Sequence, residues 1–188
     1  MTTATATGTR STAEVQRRRI LGHAVRVFAQ GGYRATPVAD VAAAAEVSTA
    51  YVFRLFDGKL GLFVEAVDSC YDQVVAALTA GAERTSSPLP ADKLAAMSDA
   101  YIELVADRDL IALQVHATSA CDVAEIRDAV QRGLAKITHA VVSASGADDD
   151  AVQHFVAYGQ LCHIIVQAEL YDLDSPWART LTHGMRHL

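Results

Sequence analysis

Basic side chains are concentrated in the first 60 residues, where they could contact a polyanion. This stretch has eight Lys and Arg residues against four acids, whereas the remaining 128 residues have eight against eighteen. A basic region joined to an acidic one suits a chain that meets a nucleic-acid backbone at one end only, because phosphates repel the acidic part. The same cations could also form an ordinary solvated helix face, so charge alone leaves both interpretations open.

Side chains that could bind a metal ion or perform catalysis show no ordered spacing. The histidines and cysteines of the second half are mostly isolated: His116, Cys121, His154, Cys162 and His163. Only His183 and His187 have the i, i+4 spacing of two ligands on one helix. No Gly-rich phosphate loop, nucleophile motif or HExxH motif occurs. We expect no metal site, no cofactor and no enzymatic activity, with metal or redox sensing as the weaker alternative.

The elements that must position the basic residues are helices. Hydrophobic residues make up 51% of the chain and proline occurs only four times, which favours long helices over a turn-rich β architecture. Three cysteines, odd in number and widely spaced, indicate free thiols. No stretch approaches the apolar length of a membrane span, and residues 1–11 lack the apolar core of a signal peptide. We expect an all-α cytoplasmic protein with no membrane partner.

The first part of the chain predicts a flexible arm followed by a helix. Residues 1–11 have no apolar periodicity and are predicted to be the arm. A helix from Thr12 to Gln30 has its apolar residues on one face. The glycine pair Gly31-Gly32 is expected to end it, because glycine adopts the left-handed cap without a Cβ clash.

Two short helices joined by a tight turn are predicted next. Thr36 followed by Pro37 is a helix cap with proline at the first helical position, which begins a helix that ends at Ala45. A turn at residues 46–48 leads to a helix from Thr49 to Phe56. This arrangement predicts a helix-turn-helix unit packed on the first helix.

The remaining chain is predicted to be a helical body. A long connecting helix runs from Lys59 to Glu83 and ends before the proline-containing segment 84–90. Further helices are predicted at 91–106, 108–118, 122–144, 148–171 and 176–187. The chain of about nine helices then divides into an arm (1–11), a helix-turn-helix head (12–58) and a body (59–188).

Three stretches of the head have a distinctive order of residues. They are Arg19 to Thr36, the Ala-rich stretch from Val38 to Ser48, and Phe53 to Lys59 followed by Leu62 and Phe63. In this order and spacing they resemble the tetracycline-repressor (TetR) family of bacterial regulators. The resemblance covers about a quarter to a third of the chain, and residues 90–188 show only compatible length and helicity.

The resemblance implies a symmetric homodimer on double-stranded DNA. Its two recognition helices, here Thr49–Phe56, would enter successive major grooves of a palindromic operator. Carried over by position, the base contacts would come from Thr49, Ala50 and Tyr51. The phosphate contacts would come from Thr36, Arg54 and Lys59. Phosphate contacts set affinity, whereas base contacts set sequence preference.

Three residues depart from the family pattern. Glu46 stands where the family usually has glycine, in a turn that favours positive φ, at a cost of roughly 1 kcal/mol. Phe53 replaces a common phosphate-contacting tyrosine, and Tyr51 replaces a small residue. Tyr51 could touch a thymine methyl or pack in the core, whereas Phe53 and Phe56 are expected to pack in the core. Arg17–Arg19 could be a solvated face or reach the adjacent minor groove.

The resemblance also implies an effector site in the body. Effector binding in this family changes the separation of the two heads, so the helix that begins at Lys59 would be the lever. We expect an unidentified, largely apolar small molecule held by a few polar groups. The candidate pocket residues are Met97, Tyr101, Leu104, Leu113, His116, Leu134, Phe155 and Tyr158.

The last two predicted helices correspond by position to the family's dimer interface. The helix predicted at 148–171 has a broad apolar face. Its candidate interface residues are Leu161, Cys162, Ile165, Val166 and Leu170. Two copies could form a four-helix bundle, although the same face could instead be internal to one body.

The expected function is a sequence-specific transcriptional regulator, a repressor released from its operator by the effector. Two alternatives stay open: a helical protein-interaction module whose head binds a protein, and an architectural DNA-binding protein without an effector. Absence of DNA binding at low salt would favour the first, and a body without a cavity would favour the second. Activation in place of repression depends on where the operator lies relative to the promoter.

Overall fold

The computed structural model describes residues 6–185, with side chains from residue 13 onwards. Over this range it has nine α-helices, one short 3₁₀ helix and no strand, which confirms the all-α prediction. The α-helices are α1 (Ala6–Ala35), α2 (Val38–Ala44), α3 (Thr49–Leu55), α4 (Gly58–Glu83), α5 (Pro90–Val105), α6 (Arg108–Ser119), α7 (Ala124–Ser145), α8 (Asp149–Gln167) and α9 (Pro176–Thr182). Between residues 6 and 185, none of these helices is both long and apolar enough to cross a bilayer.

Helices α1 to α3 form the head around one apolar core. Fully buried side chains from each helix meet there, among them Phe28, Val41 and Val52. The core continues into α4, since the Phe28 ring meets that of Phe63 edge-on with centroids 4.9 Å apart. The head and the connecting helix α4 therefore share a core.

The start of α1 and the cap of α2 differ from the predictions. α1 begins at Ala6, so residues 6–11 are helical and the predicted start at Thr12 is wrong; residues 1–5 lie outside the described range. No proline interrupts residues 6–11, and extending an existing helix requires no new nucleation. Gly32 breaks the helix as predicted, with φ 66°. The cap of α2 is Pro37, so the predicted capping role of Thr36 is wrong.

The body is organised around α4. This helix packs closely along α5 and α7, while α6 packs against α1. The approach of α7 to α4 requires Gly133, because a Cβ there would lie 2.2 Å from the Tyr71 ring. α8 touches α6 and α7 only over short stretches, so it is the most loosely packed of the long body helices.

The C-terminal helices are shorter than predicted. α8 ends at Gln167, where a helix to residue 171 was expected, and Glu169 then adopts a left-handed φ of 52°. A 3₁₀ turn, Leu170–Asp172, follows. α9 ends at Thr182, whereas its predicted end at residue 187 lies outside the described range.

Candidate functional site

The turn between α2 and α3 presents the N-terminus of α3 to solvent. Ser48 caps α3, and its Oγ accepts a hydrogen bond of 3.2 Å from the backbone N–H of Tyr51. Glu46 has φ 54°, the left-handed conformation predicted for this position. Val47 then donates its backbone N–H to the carbonyl of Ala42 at 2.9 Å, which closes the turn.

Helix α3 has one buried and one exposed face. Val52 and Phe56 are fully buried and anchor α3 to the head. Ala50 and Arg54 point to solvent, and the Arg54 guanidinium lies 5.0 Å from the centre of the half-buried Tyr51 ring. The exposed face therefore combines a cation, an aromatic ring and a small residue, as a groove-binding helix requires.

Phe53 also belongs to this face, contrary to the prediction that it packs in the core. Its side chain is 51% exposed, whereas the predicted burial of Phe56 is confirmed. Helical spacing explains the difference, because Val52 and Phe56 lie one turn apart and their neighbour Phe53 is rotated away from them. An exposed phenyl ring can contact a thymine methyl or a deoxyribose but cannot donate a hydrogen bond to a phosphate.

Lys59 and Arg34 lie together where α1 ends and α4 begins. The Lys59 ammonium lies 5.2 Å from the centre of the Tyr33 ring and donates a 3.2 Å hydrogen bond to the Arg34 carbonyl. Thr36 is nearby in sequence but only 4% exposed, and its Oγ1 lies so close to Gly31 that a Cβ there would be 2.6 Å away. Thr36 therefore packs against α1, and its side chain is not available as the predicted phosphate contact.

Arg17 and Arg19 have structural partners in the head. Arg17 donates to the Leu55 carbonyl at 2.6 Å, pairs with Glu65, and stacks on the Phe56 ring. Arg19 donates to the Ala45 carbonyl. The two guanidiniums thus satisfy carbonyls at the C-terminal ends of α3 and α2, where cations are favoured. Arg17 and Arg19 are thus tied to the head rather than free on a solvated face, whereas Arg18 is exposed, and a minor-groove contact stays a prediction.

His23 and Asp122 limit the positive charge of the head. Burial, and then the nearby Arg26 and Arg19, lower the pKa of His23 below its usual 6.5, so it adds no positive charge at neutral pH. Arg34 forms an ion pair with Asp122 of the α6–α7 turn, and this hydrogen bond holds the pKa of Asp122 below its usual value. The body thus supplies an acid to one of the head's cations.

The structure brings together four of the eight predicted pocket residues. Tyr101, Leu134 and Phe155 line a cavity of about 30 Å³ between α4 and α8. Tyr101 and Phe155 also line a second cavity of about 20 Å³, together with Tyr158.

The other four predicted pocket residues line neither of these cavities. Met97 and Leu113 are fully buried in the apolar core, and Leu104 packs beside them. The ring of His116 lies against the backbone at Gly32, where an added Cβ would come within 2.6 Å of its Nδ1 atom. His116 thus belongs to the contact between head and body.

Two buried polar residues lie near these cavities, and one of them, His163, was absent from the predicted pocket. His163 shares a 2.6 Å hydrogen bond between its Nε2 and the Tyr101 hydroxyl. Burial lowers the pKa of His163 to about 4, so its imidazole is neutral at neutral pH. Gln114 is also buried and donates to the Leu110 carbonyl at 3.2 Å. A polar residue within an apolar stretch, as in His163-Ile164-Ile165, is the signal that could have indicated this pair.

The predicted dimer residues face the interior of their own chain. Cys162, Ile165 and Leu170 pack with Met185, and Val166 packs with Val105 and Ile111. Leu161 is half-buried beside the first group. The interface assigned to these five residues is therefore wrong, because Met185, which follows α9, and side chains of α5 and α6 already cover this face of α8. The opposite face carries Ile164, which is 57% exposed.

The thiols and histidines do not form a metal cluster in the described part of the chain. No group of three or more His, Cys, Asp and Glu side chains is arranged there to hold a metal ion. The three cysteines are free thiols, and burial raises the pKa of Cys70 to about 12. Of the two histidines with the spacing of helix ligands, His183 is exposed and His187 lies outside the described residues.

Comparison with known families identifies the head. Residues 20–66 match the model of the N-terminal domain described as bacterial regulatory proteins, tetR family. This match spans α2, α3, most of α1 and the start of α4, the elements that present the exposed face of α3. A search by sequence found no match among curated proteins.

Comparison with solved structures covers about nine-tenths of this chain. A transcriptional regulator from Pseudomonas aeruginosa PAO1 is 17% identical with a TM-score of 0.68, over 91% of this chain and 90% of that one. FadR from Bacillus subtilis, solved with stearoyl-CoA, is 17% identical with a TM-score of 0.68, over 90% of this chain and 99% of that one. A TetR-family regulator from a Rhodococcus species is 23% identical with a TM-score of 0.62, over 88% and 93%. At these identities the likeness establishes the fold of head and body together.

Proposed function

Residues 20–66 match the N-terminal domain of bacterial regulatory proteins of the tetR family, and we propose that the chain is a transcriptional regulator of this family. It represses genes in the cytoplasm by binding a palindromic operator as a homodimer. Residues 12–58 act as the DNA-binding head, and residues 59–188 act as the dimerisation and effector-binding body. A small molecule bound in the body releases the operator. The chain acts by binding and carries out no reaction.

The exposed face of α3 is the observation that carries this proposal. The face is anchored from behind by Val52 and Phe56, and its start is fixed by the Ser48 cap. A helix held in this way can enter a major groove without reorganising the head. In this proposal Thr49, Ala50, Tyr51 and Phe53 contact bases, while Arg54 and Lys59 contact phosphates.

Fluorescence anisotropy of the purified protein tests DNA recognition. The probe is a duplex from the region beside its own gene, with a scrambled duplex as control, at two salt concentrations. We expect salt-sensitive binding that prefers the native duplex. Arg54→Ala should weaken binding to both duplexes, whereas Lys136→Ala, a cation of α7 paired with Asp72, should not. Failure to bind either duplex at low salt would refute DNA recognition and favour a protein partner for the head.

The exposed face of α8 supports a second copy of this chain as the dimer partner. A stripe of uncharged residues at helical spacing runs along it: Gln153, Ala157, Gln160, Ile164 and Ala168. Open grooves of about 590 and 480 Å³ flank the stripe, one against α6 and one against α7. The exposed Trp177 of α9 adds apolar area. In a chain with 20% charged residues, such a neutral surface is suited to a self-complementary interface.

Light scattering coupled to size exclusion tests the dimer. We expect a dimer at micromolar concentration and a monomer for Ile164→Glu, because the substitution buries a charge in the contact. Leu89→Glu is the matched control, since Leu89 is 60% exposed in the α4–α5 loop. A monomeric wild-type protein would refute this interface.

A further inference from the structure

The two small cavities of the body are adjacent parts of one space. The inner cavity, of about 30 Å³, extends from Val74 on α4 to Gln160 on α8. The outer cavity, of about 20 Å³, lies between α5 and α8 and reaches Gly159. Tyr101 and Phe155 line both cavities, so these two rings form the wall between them. Displacing the rings would join the cavities into one chamber.

The packing of α8 allows such a chamber to open. α8 makes few contacts with α6 and α7, and the grooves on both sides leave it room to move. A Cβ added at Gly159 would meet no atom within 4 Å, so the outer cavity has free space at the helix backbone itself. A void of this size holds a water molecule or two, and a larger ligand must select a conformation with α8 displaced.

The wall of the chamber carries one member of a hydrogen-bonded pair, because Tyr101 lines both cavities whereas its partner His163 lines the open groove against α6. The Tyr101 hydroxyl bonds to the Nε2 atom of His163, and a hydroxyl can donate one hydrogen bond while accepting others. Depending on which imidazole nitrogen holds the proton, the hydroxyl offers a ligand either a donor or an acceptor. A polar group buried in an apolar region is costly unless it has a hydrogen-bond partner. The Tyr101 hydroxyl can supply that partner to one polar group of a ligand.

The chamber has no ionised lining residue. The side chains around the two cavities are aliphatic, aromatic, hydroxyl, amide or thiol groups. Burial keeps His163 neutral, as its lowered pKa indicates. A carboxylate, phosphate or ammonium entering this space would lose its hydration without meeting an opposite charge.

We infer that the effector of this regulator is an uncharged apolar molecule with one hydrogen-bonding group, bound in the chamber between α4, α5, α7 and α8 against Tyr101, whose hydroxyl is hydrogen-bonded to His163. This inference rests on the proposed function and specifies its ligand. Binding displaces Phe155 and α8, and α8 also carries the proposed dimer face. Ligand occupancy and the separation of the two heads are thereby linked through one helix.

Two dyes that share a naphthalene core test the charge requirement in the full-length protein. Prodan is neutral and carries one ketone, whereas anilinonaphthalene sulfonate is an anion of similar size. We expect Prodan to bind at least about tenfold more tightly, because the sulfonate must be desolvated. Equal affinity of the two dyes, with mutual competition, would overturn the charge assignment.

Substitutions in the residues that line the two cavities test where Prodan binds. Gly159→Leu fills the outer cavity and should abolish Prodan binding; since leucine is a better helix former, the variant should fold at least as well. Gly22→Leu is the matched control, because Gly22 is also helical with no atom within 4 Å of an added Cβ, but lies in the head. Phe155→Ala removes the wall and should increase the affinity. Prodan binding that survives Gly159→Leu unchanged would overturn the chamber.

The hydrogen-bonding pair is tested by Tyr101→Phe, which keeps the ring. We expect about a fivefold loss of Prodan affinity, the effect of one neutral hydrogen bond. An unchanged affinity would overturn the role of the pair.

DNA anisotropy on the same samples distinguishes a failure of the ligand inference from a failure of the proposed function. Specific DNA binding without Prodan binding refutes the chamber alone, whereas Prodan binding without DNA binding refutes the proposed function alone.

Discussion

The head and the body of this protein both have apolar cores, but they differ in the further contacts that hold their helices in place. In the head, charged side chains reach from α1 to the carbonyl ends of short helices, as Arg17 and Arg19 do for α3 and α2. In the body, the central helices pack through apolar cores, and α8 rests loosely over two cavities with a buried neutral imidazole beside them. A head whose helices are held in fixed positions suits the regular spacing of DNA grooves. A loosely packed body can change conformation when a small molecule binds.

The largest expected effect is a pH-dependent loss of stability of the body, which depends on His163. The unfolded chain protonates this imidazole near pH 6.5, whereas the folded protein resists protonation until about pH 4. Its stabilising contribution is thus present above pH 6.5 and is lost as the pH falls towards 4. The loss is on the order of 3 kcal/mol. We expect urea denaturation to show wild type losing more stability than His163→Gln between pH 7 and pH 4.5. Parallel losses in the two proteins would mean that the imidazole is already accessible to protons.

A substitution of Arg17 tests the charged contacts of the head. Arg17→Ala removes the cap on the Leu55 carbonyl, the ion pair with Glu65 and the stacking on Phe56. We expect a loss of about 2 kcal/mol in the free energy of unfolding, typical of a charged hydrogen bond that is removed. Arg18→Ala, at the exposed neighbouring position, serves as the control and should be near neutral. Comparable effects of the two substitutions would show that the charged contacts do not stabilise the head.

Tyr51 and Arg54 distinguish sequence preference from general affinity. We expect Tyr51→Ala to reduce discrimination between native and scrambled duplexes by about 1 kcal/mol, since it removes a contact to base edges. Arg54→Ala should weaken both complexes and reduce the salt slope by about 1. Anisotropy titrations at several salt concentrations measure both quantities. Equal losses on the two duplexes for Tyr51→Ala would instead place its ring in the packing of the head.

Glu46 gives the smallest expected effect. The left-handed conformation costs an L-residue roughly 1–2 kcal/mol, and glycine removes that cost but loses about 0.5–1 kcal/mol through the entropy of the unfolded chain. Glu46→Gly should therefore stabilise the protein by about 0.5 kcal/mol. Thermal unfolding can measure this small gain against wild type. A destabilised variant would indicate that the Glu46 side chain makes a favourable contact.

The sequence predicts the head better than the body for a physical reason. The glycine pair, the proline at residue 37 and residues at helical spacing are local signals, and they correctly placed α2, α3 and the break at Gly32. The left-handed Glu46 was implied by the family resemblance. Partners far apart in sequence leave no such signal. The carbonyls that Arg17 and Arg19 satisfy lie in other helices, so the sequence indicated only a solvated face or a minor-groove contact for these cations.

The apolar face of α8 was misassigned for the same reason, because its partners lie far away in the sequence. An apolar face shows that something covers a helix but does not identify what covers it. In this chain the cover for Cys162, Ile165 and Leu170 comes from the C-terminal residues that fold back, which places Met185 against them. The exposed stripe is made of Gln and Ala with a single Ile, a composition that hydropathy alone does not single out.

The contact between Gly32 and His116 limits how this protein can be recombined with others. Gly32 has φ 66°, and a Cβ there would lie 2.6 Å from the imidazole of His116 on α6. A head grafted from another regulator would therefore need both a glycine at this position and a surface that accepts the ring. Chimeras that join heads and bodies at the start of α4 would separate the two residues, so a functional exchange must transfer α6 together with α1.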